Sequence, residues 1–329
     1  MPLSTKITRL FGIKHPVIQG GMHYVGYAQL AAAVANAGGL GLVTSLTQST
    51  PELLATEIAN AKSMLKPNCE GKIGANLTIL PMFSKVDYGA YVDVIIDSGI
   101  DIVETAGRPP GDFIAKFKEH NIKIIHKCVT TRHARSAERM GADAISLDGF
   151  ECGGHPGEED IGNFVLQAMG ARELSVPYVA SGGIANGRQL AAALALGASG
   201  VNLGTRFMAT REAPVHDNIK EALVSGGSGS TTLVMRSVRN TERVFKNSVA
   251  LKVQEIEQVH PGDFSKIHEY VKGENYRRSF QETGDTESSV WSCGTALALI
   301  DDIPTCEELI NSIVRDAEAA INESSSQIV

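Results

Sequence analysis

Short apolar runs alternate with amphipathic helical patterns through the first 212 residues of this 329-residue chain. Each run has the length and hydrophobicity of a buried strand, and a helix-forming segment follows it. The eight predicted strands are Val17–Gly20, Leu40–Thr44, Ile73–Ile79, Ile102–Thr105, Lys123–Val129, Ala144–Leu147, Pro177–Ser181 and Gly200–Leu203. Eight strand–helix units in about 210 residues predict an α/β fold, a closed (β/α)₈ or TIM barrel.

An open, doubly wound sheet is the alternative arrangement of the same units. The first strand–helix turn, Gly20-Gly21-Met22, lacks the G-x-G-x-x-G pattern of dinucleotide-binding sheets, so the closed barrel is favoured.

The alternation stops after Glu212. Residues 224–230 are rich in Gly and Ser and predict a flexible connection, and residues 231–285 have a polar, helical pattern. The arginines of Met235–Arg243 recur every three to four residues and are expected to share a helix face, either solvated or turned toward the barrel mouth. A last helix, Thr305–Ala320, is expected on the barrel wall.

Composition excludes several classes of function. A net charge of −7 and a pI near 5.7 argue against a nucleic-acid-binding surface. No apolar run approaches the roughly 18 residues of a spanning helix, and the N-terminus lacks a signal-peptide pattern, so we predict a cytoplasmic protein without a membrane span. The five cysteines have no C-x-x-C spacing, so neither a metal site nor a disulfide framework is expected.

The loop after the sixth strand, Leu147–Asp160, contains four glycines and one histidine, His155, within a short stretch. Glycines allow the backbone to approach a ligand closely, and an imidazole can transfer protons near neutral pH. The alternative interpretation is a surface turn with an incidental histidine. Cys152 in this loop could be a nucleophile, but a small neutral loop residue is the favoured interpretation.

The seventh and eighth strands end in glycine-rich turns, Ser181-Gly182-Gly183 and Gly204-Thr205. Phosphate groups commonly bind between these two loops of a (β/α)₈ barrel, where backbone N–H groups meet a helix N-terminus. The two turns therefore predict a phosphate site.

Other strand ends carry polar groups suited to a flat heterocycle, at Met22, Asn76, Lys127, Gly153 and Gly154. A lysine within an apolar strand needs a partner, because burying an unpaired ammonium group is costly. A flavin whose N1–C2=O edge becomes negative on reduction is one candidate, and a buried salt bridge with an acid such as Glu104 is the other.

Segments along nearly the whole chain resemble the nitronate monooxygenases, also called 2-nitropropane dioxygenases, and in particular a subgroup of bacterial FMN-dependent NADH:quinone reductases. The resemblance is carried by Gln19–Met22, Asn36–Leu40, Gly74–Leu77, Val103–Gly107, His126–Cys128, Asp148–Pro156, Ala180–Gly183, Gly204–Phe207, Met235–Asn240, Gly284–Thr286 and Trp291–Ser292.

The resemblance implies an FMN-containing barrel, residues 1–212 plus 290–329, and a helical insertion domain, residues 213–289, over the barrel mouth. It implies that His155 faces the substrate side of the flavin and that Trp291–Gly294 closes over the cofactor. The residues expected to hold FMN are Met22, Asn76, Lys127, Gly153, Gly154, Ser181, Gly182, Gly183, Gly204 and Thr205.

We expect small-molecule partners, with NADH or NADPH as co-substrate. An NAD(P)H:quinone reductase is the leading hypothesis, oxidation of alkyl nitronates with O₂ is the alternative, and enoyl-thioester reduction is a third. A non-catalytic flavin-binding protein is the hypothesis of a different class, and His155 within its glycine loop argues against it. The sequence leaves the oligomeric state open.

Overall fold

A computed structural model describes residues 3–79 and 86–327 of the chain. Eight parallel strands close into a barrel in chain order, as the alternation predicted. The strands are β1 Val17–Gln19, β2 Leu40–Thr44, β3 Lys72–Ile79, β4 Ile102–Gly107, β5 Lys123–Cys128, β6 Ala144–Asp148, β7 Tyr178–Ser181 and β8 Val201–Leu203. Because β1 pairs with both β2 and β8, this sheet has no open edge, and the open doubly wound alternative is excluded.

The described part of the chain contains these α-helices: α1 Lys6–Phe11, α2 Ala28–Asn36, α3 Pro51–Ser63, α4 Tyr88–Asp97, α5 Gly111–Glu119, α6 Thr131–Arg139, α7 Asn163–Glu173, α8 Gly187–Ala195, α9 Thr205–Met208, α10 Asp217–Ser225, α11 Ser248–Val259, α12 Phe264–Ile267, α13 Gly273–Arg278 and α14 Cys306–Ser325. Among these helices, none is long and apolar enough to cross a membrane.

Local capping signals set several of these boundaries. Thr50 accepts a hydrogen bond from the Leu53 N–H, and Pro51 occupies the first turn of α3. Thr305 forms a capping box with Glu308 at the start of α14, which packs on α8 and continues to Ser325, five residues past the predicted end at Ala320.

The amino-terminal half of the barrel interior is an apolar core. The side chains that fill it are Ile18, Leu40, Leu42, Ile102, Ile125, Ala144 and Val179. Ile7 and Phe11 of α1, a helix that the sequence analysis did not identify, pack against them and are 0% and 3% exposed. The apolar side chains and α1 therefore close this end of the barrel.

Residues 213–289 combine helices α10 to α13 with an antiparallel hairpin, β9 Thr231–Val234 and β10 Glu242–Phe245. The shared helix face expected for the arginines of Met235–Arg243 is wrong. Met235 and Arg239 have φ values of 60° and 55°, which no right-handed helix contains, so the segment is the turn of the hairpin followed by β10. The division of the chain into barrel and insertion domains stays a prediction.

Candidate active site at the mouth of the barrel

A buried carboxylate lies at the centre of the carboxyl-terminal half of the barrel. Glu104 of β4 is 0% exposed. Its Oε2 accepts hydrogen bonds from Asn76 Nδ2 at 2.7 Å and from the Gly21 N–H at 3.0 Å, and its Oε1 accepts from Asn202 Nδ2 at 2.9 Å. Glu104 thereby connects the ends of β1, β3, β4 and β8.

A second carboxylate continues this polar layer. Asn202 Nδ2 also donates to Ser146 Oγ at 3.2 Å, and Ser146 Oγ donates to Asp148 Oδ1 at 3.0 Å. Asp148 Oδ2 lies 3.5 Å from Lys127 Nζ, so the acid within ion-pair distance of Lys127 is Asp148 rather than Glu104. We call these six side chains the polar belt: Asn76, Glu104, Lys127, Ser146, Asp148 and Asn202.

The belt determines the charge of Lys127. Burial lowers the pKa of Lys127, but the negative charges of Asp148 and Glu104 raise it by more, so that the pKa lies above its ordinary value. Lys127 therefore presents a permanent positive charge at the mouth at neutral pH.

The two glycine-rich turns predicted to bind phosphate lie side by side, because β7 pairs with β8. Gly182 and Gly183 have φ values of 92° and 73°, and a Cβ on Gly182 would lie 2.9 Å from the Gly149 carbonyl oxygen, so these positions require glycine. Within the described residues, no acceptor is bonded to the backbone N–H groups of Gly182, Gly183, Gly204 or Thr205. Four unused donors in half-buried or buried positions fit a phosphate group.

The loop after β6 is held down by the segment that follows the insertion. A Cβ on Gly153 would lie 2.7 Å from the Gly294 nitrogen, so the two backbones are in direct contact. The Gly294 N–H donates to Thr205 Oγ1 at 2.9 Å, and the Thr295 N–H donates to the Glu151 carbonyl at 2.9 Å. The segment around Gly294 thus lies across the ends of both β6 and β8.

The hairpin of residues 231–245 binds the same loop from another side. Gly154 and Arg243 exchange two backbone hydrogen bonds of 3.0 and 2.7 Å. Arg243 is 8% exposed, donates to the Phe150 carbonyl from Nε at 3.1 Å, and stacks on the Phe150 ring with 4.8 Å to its centroid. The next residue of the loop, His155, is exposed. The hairpin therefore fixes the backbone from which this imidazole projects.

Met22 lies beside the ends of β8 and β2. Its N–H donates to Thr44 Oγ1 at 3.0 Å, and a Cβ on Gly204 would lie 3.5 Å from its sulfur. Every residue that the sequence analysis assigned to a site thus lies in or directly after the carboxyl end of a barrel strand, around one opening. Their contacts with a cofactor stay a prediction.

Cys152 is unsuited to nucleophilic chemistry. It is 7% exposed, and burial raises the pKa of its thiol, with the charge of Asp148 raising it further. The favoured interpretation of Cys152 as a neutral loop residue agrees with this environment.

The sequence analysis missed three members of the belt, Ser146, Asp148 and Asn202, and assigned Glu104 only as a possible partner of Lys127. Strand periodicity identifies part of the belt. Glu104, Lys127 and Ser146 each follow an inward-facing apolar residue by two positions, so they point into the same barrel.

Comparison with known proteins agrees with this geometry. The family model for nitronate monooxygenase matches residues 4–80 and 66–316. The chain belongs to the nitronate monooxygenase family. Members of this family are flavin-dependent oxidoreductases, which agrees with a mouth that combines unpaired backbone N–H groups at two glycine-rich turns, a fixed cation and an exposed imidazole.

Individual relatives cover the whole chain. A Mycobacterium tuberculosis protein named (3aS,4S,5R,7aS)-5-hydroxy-7a-methyl-1-oxo-octahydro-1H-indene-4-carboxyl-CoA dehydrogenase is 31% identical, with 100% of both chains covered. A probable nitronate monooxygenase of Staphylococcus saprophyticus is 26% identical over 98% of this chain and 100% of its own. FabK from Thermotoga maritima has a solved structure with 33% identity, a TM-score of 0.90 and 99% coverage of both chains.

Proposed function

We propose that this member of the nitronate monooxygenase family is an FMN-dependent oxidoreductase that uses NADH or NADPH as co-substrate. The observation that carries the proposal is the cradle of four backbone N–H groups at Gly182, Gly183, Gly204 and Thr205 beside the charged belt. A single phosphate cradle without a dinucleotide fingerprint favours FMN over FAD.

The chain's own residues have distinct tasks in this proposal. The cradle binds the FMN phosphate, Asn76 and Lys127 bind the ring, and Met22, Ser181, Gly153 and Gly154 line the walls. When bound in the cradle, FMN would supply the capacity to take up a hydride and to pass two electrons to an acceptor. Lys127 supplies a positive charge where negative charge grows on reduction. His155 donates a hydrogen bond or a proton to the acceptor's oxygen as charge develops there.

The class of acceptor is the finer part of the proposal. On sequence alone, a quinone is the first candidate and a nitronate the second. The 31% identical relative is named as a dehydrogenase of a carboxyl-CoA, whereas the probable nitronate monooxygenase named above is 26% identical. Removal of two hydrogens from an acyl-CoA leaves an α,β-unsaturated acyl thioester, and the reverse reaction reduces that thioester. We therefore place an α,β-unsaturated acyl thioester first as acceptor and a quinone second. Both present a carbonyl oxygen that His155 can stabilise during transfer of the electron pair.

Cofactor identity is the first test. The purified protein is heated, and the released flavin is separated and weighed by mass spectrometry. We expect FMN. Release of FAD, or a protein that binds neither flavin when it is reconstituted, would overturn the cofactor assignment.

The acceptor is tested by anaerobic stopped-flow mixing. NADH and NADPH are compared for bleaching of the flavin absorbance, and the reduced protein is then mixed with an enoyl-CoA, with a benzoquinone, or with neither. In parallel, the oxidised protein is mixed with propyl-2-nitronate and O₂. Fast reoxidation by the enoyl-CoA supports the thioester assignment, fast reoxidation by the quinone alone supports the second, and turnover of only the nitronate supports the alternative activity.

The predicted cytoplasmic location suits these co-substrates, and the five cysteines are free thiols in the described structure. Location itself stays a prediction.

A further inference from the structure

Glu104 has no task in the function proposed above, although it is the most completely buried acid of the barrel mouth and accepts three hydrogen bonds. We propose that Glu104 is a positioning residue that sets the direction of the Asn76 amide, and that this direction makes the mouth selective for a ligand edge that donates N–H. The inference rests on the proposed binding of FMN, because oxidised FMN has one such group on its ring, the N3–H.

Glu104 selects which end of the Asn76 side-chain amide faces it. An asparagine has a donor end and an acceptor end, which are nearly equal in size, so its surroundings decide which way it points. An ionised carboxylate only accepts hydrogen bonds. Asn76 Nδ2 lies 2.7 Å from Glu104 Oε2, so the carboxylate selects the NH₂ end of Asn76 and the amide oxygen must point away from Glu104.

The amide oxygen of Asn76 points away from Glu104, along β3. Asn76 Oδ1 accepts a hydrogen bond of 3.3 Å from Thr78 Oγ1. Thr78 is two residues further along β3, on the same face and closer to the carboxyl end of the strand. The acceptor end of Asn76 is therefore directed toward the mouth.

The hydrogen-bond partners of Glu104 are all donors. Three N–H donors from three different strand ends point at its two oxygens, and the ammonium group of Lys127 is close enough to be influenced by its charge. A neutral carboxylic acid would place its own O–H against one of these donors. The set of partners is thus matched to the carboxylate, which keeps both of its oxygens as acceptors.

The direction of the Asn76 amide decides whether a ligand N–H group finds an acceptor in the mouth. The N3–H of oxidised flavin lies between two carbonyl groups, and it needs an acceptor when it is removed from water. The Asn76 oxygen is such an acceptor, whereas a reversed amide would oppose the N3–H with a second donor and leave both groups unpaired. Reversing the amide therefore weakens binding without changing the shape of the pocket.

The test measures binding of FMN and of N3-methyl-FMN to the apoprotein by quenching of flavin fluorescence. The methylated probe has no N3–H. We expect the wild-type protein to prefer FMN by at least about tenfold, the effect of one well-placed hydrogen bond. Glu104→Gln is the matched control, because the Gly21 N–H holds the oxygen of the introduced glutamine beside Asn76. Glu104→Leu has a similar size but no acceptor, so Asn76 can point either way. This variant should bind FMN about tenfold more weakly and should lose most of the preference.

A second variant separates amide direction from simple loss of packing. In the double variant Glu104→Leu with Asn76→Asp, both oxygens of the introduced aspartate are acceptors, so no amide direction has to be selected. That carboxylate again presents an acceptor to the mouth, and the net charge is kept. The preference for FMN over N3-methyl-FMN should return to within about threefold of wild type. If Glu104 only supported the fold, the double variant would not recover the preference for FMN.

The outcomes are distinct. Wild-type affinity and wild-type preference in Glu104→Leu would overturn the inference, and so would a folded double variant that still lacks the preference. If Glu104→Leu does not fold, the double variant alone carries the test in the same way. A wild-type protein that binds no FMN would instead refute the proposed function, so the two failures cannot be confused.

Discussion

The two halves of the barrel interior differ in chemistry although the same strands build both. Ile102 and Glu104 share β4, Ile125 and Lys127 share β5, and Ala144 and Ser146 share β6. Within each pair the residues are two positions, or about 7 Å, apart and face the same interior. The first member lies in the apolar core and the second in the polar belt. One end of each strand therefore serves stability and the other end serves binding, as expected for this barrel architecture.

The largest effect should come from a deletion at the apolar end. Ile125 is 0% exposed, and Ile125→Ala removes buried methyl groups and leaves a cavity. We expect a loss of about 2–5 kcal/mol in the free energy of unfolding, measured by urea titration, with unchanged FMN affinity in the folded protein. Ile125→Val is the matched control and should cost about 0.5–1.5 kcal/mol. A large change in FMN affinity would show that the two ends are not separable.

His155→Ala tests the polar end through chemistry. Hydride transfer from NADH needs no acid or base, so the reductive half-reaction should stay within about tenfold of wild type. Reoxidation by the carbonyl acceptor should slow by roughly 10- to 1000-fold, because a hydrogen-bond donor or acid is lost. Stopped-flow absorbance measures both steps. His133→Ala, an exposed histidine on α6, is the control. Equal rates in His155→Ala and wild type for every acceptor would show that His155 is only part of a turn.

His126, which lies between Ile125 and Lys127, is buried and should make the stability of the protein depend on pH. Burial lowers the pKa of His126 to about 4, with the charge of His133 lowering it further, and its Nδ1 is 2.8 Å from Thr105 Oγ1. The unfolded chain, with an ordinary pKa near 6.5, binds more protons between these values, so the free energy of unfolding should fall as pH decreases from 6.5 toward 4.

The expected loss from His126 is up to about 2 kcal/mol between pH 7 and pH 5. Urea titrations at the two pH values measure it. His126→Gln should show a smaller difference between pH 7 and pH 5 than wild type. An equal difference in both proteins would place the acid sensitivity in other groups.

The smallest effect is expected for Lys127→Met. Loss of the cation should weaken FMN binding by about tenfold and lower the flavin reduction potential. The potential should fall by about 30 mV for each tenfold change in the ratio of the affinities for reduced and oxidised flavin. Lys72→Met is the matched control, since Lys72 pairs with Asp101 at 3.4 Å at the opposite end of the barrel. Unchanged affinity and potential in Lys127→Met would mean that Lys127 serves only its ion pair with Asp148.

The sequence predicted the secondary structure of the barrel more accurately than that of residues 231–245. In the barrel, the predicted bounds of β2 agree with the structure and those of β3 differ by one residue, because strong hydrophobic patterns specify these strands locally. In residues 231–245 the arginine spacing predicted a helix, and a hairpin formed instead. Spacing alone does not reveal that Met235 and Arg239 adopt positive φ angles, nor that β10 gains hydrogen-bond partners at Gly154 and Ser292.

By itself, the sequence determined the order of strands and helices, the closed barrel, and the glycine-rich strand ends around one opening, since these depend on local patterns and on the geometry of parallel strands. Only the tertiary structure decided which polar groups meet. Glu104 bonds to Asn76 and Asn202, 28 and 98 positions away along the chain, and Lys127 pairs with Asp148. Such partners are brought together by closure of the barrel, and the direction of each amide follows from the groups that surround it after closure.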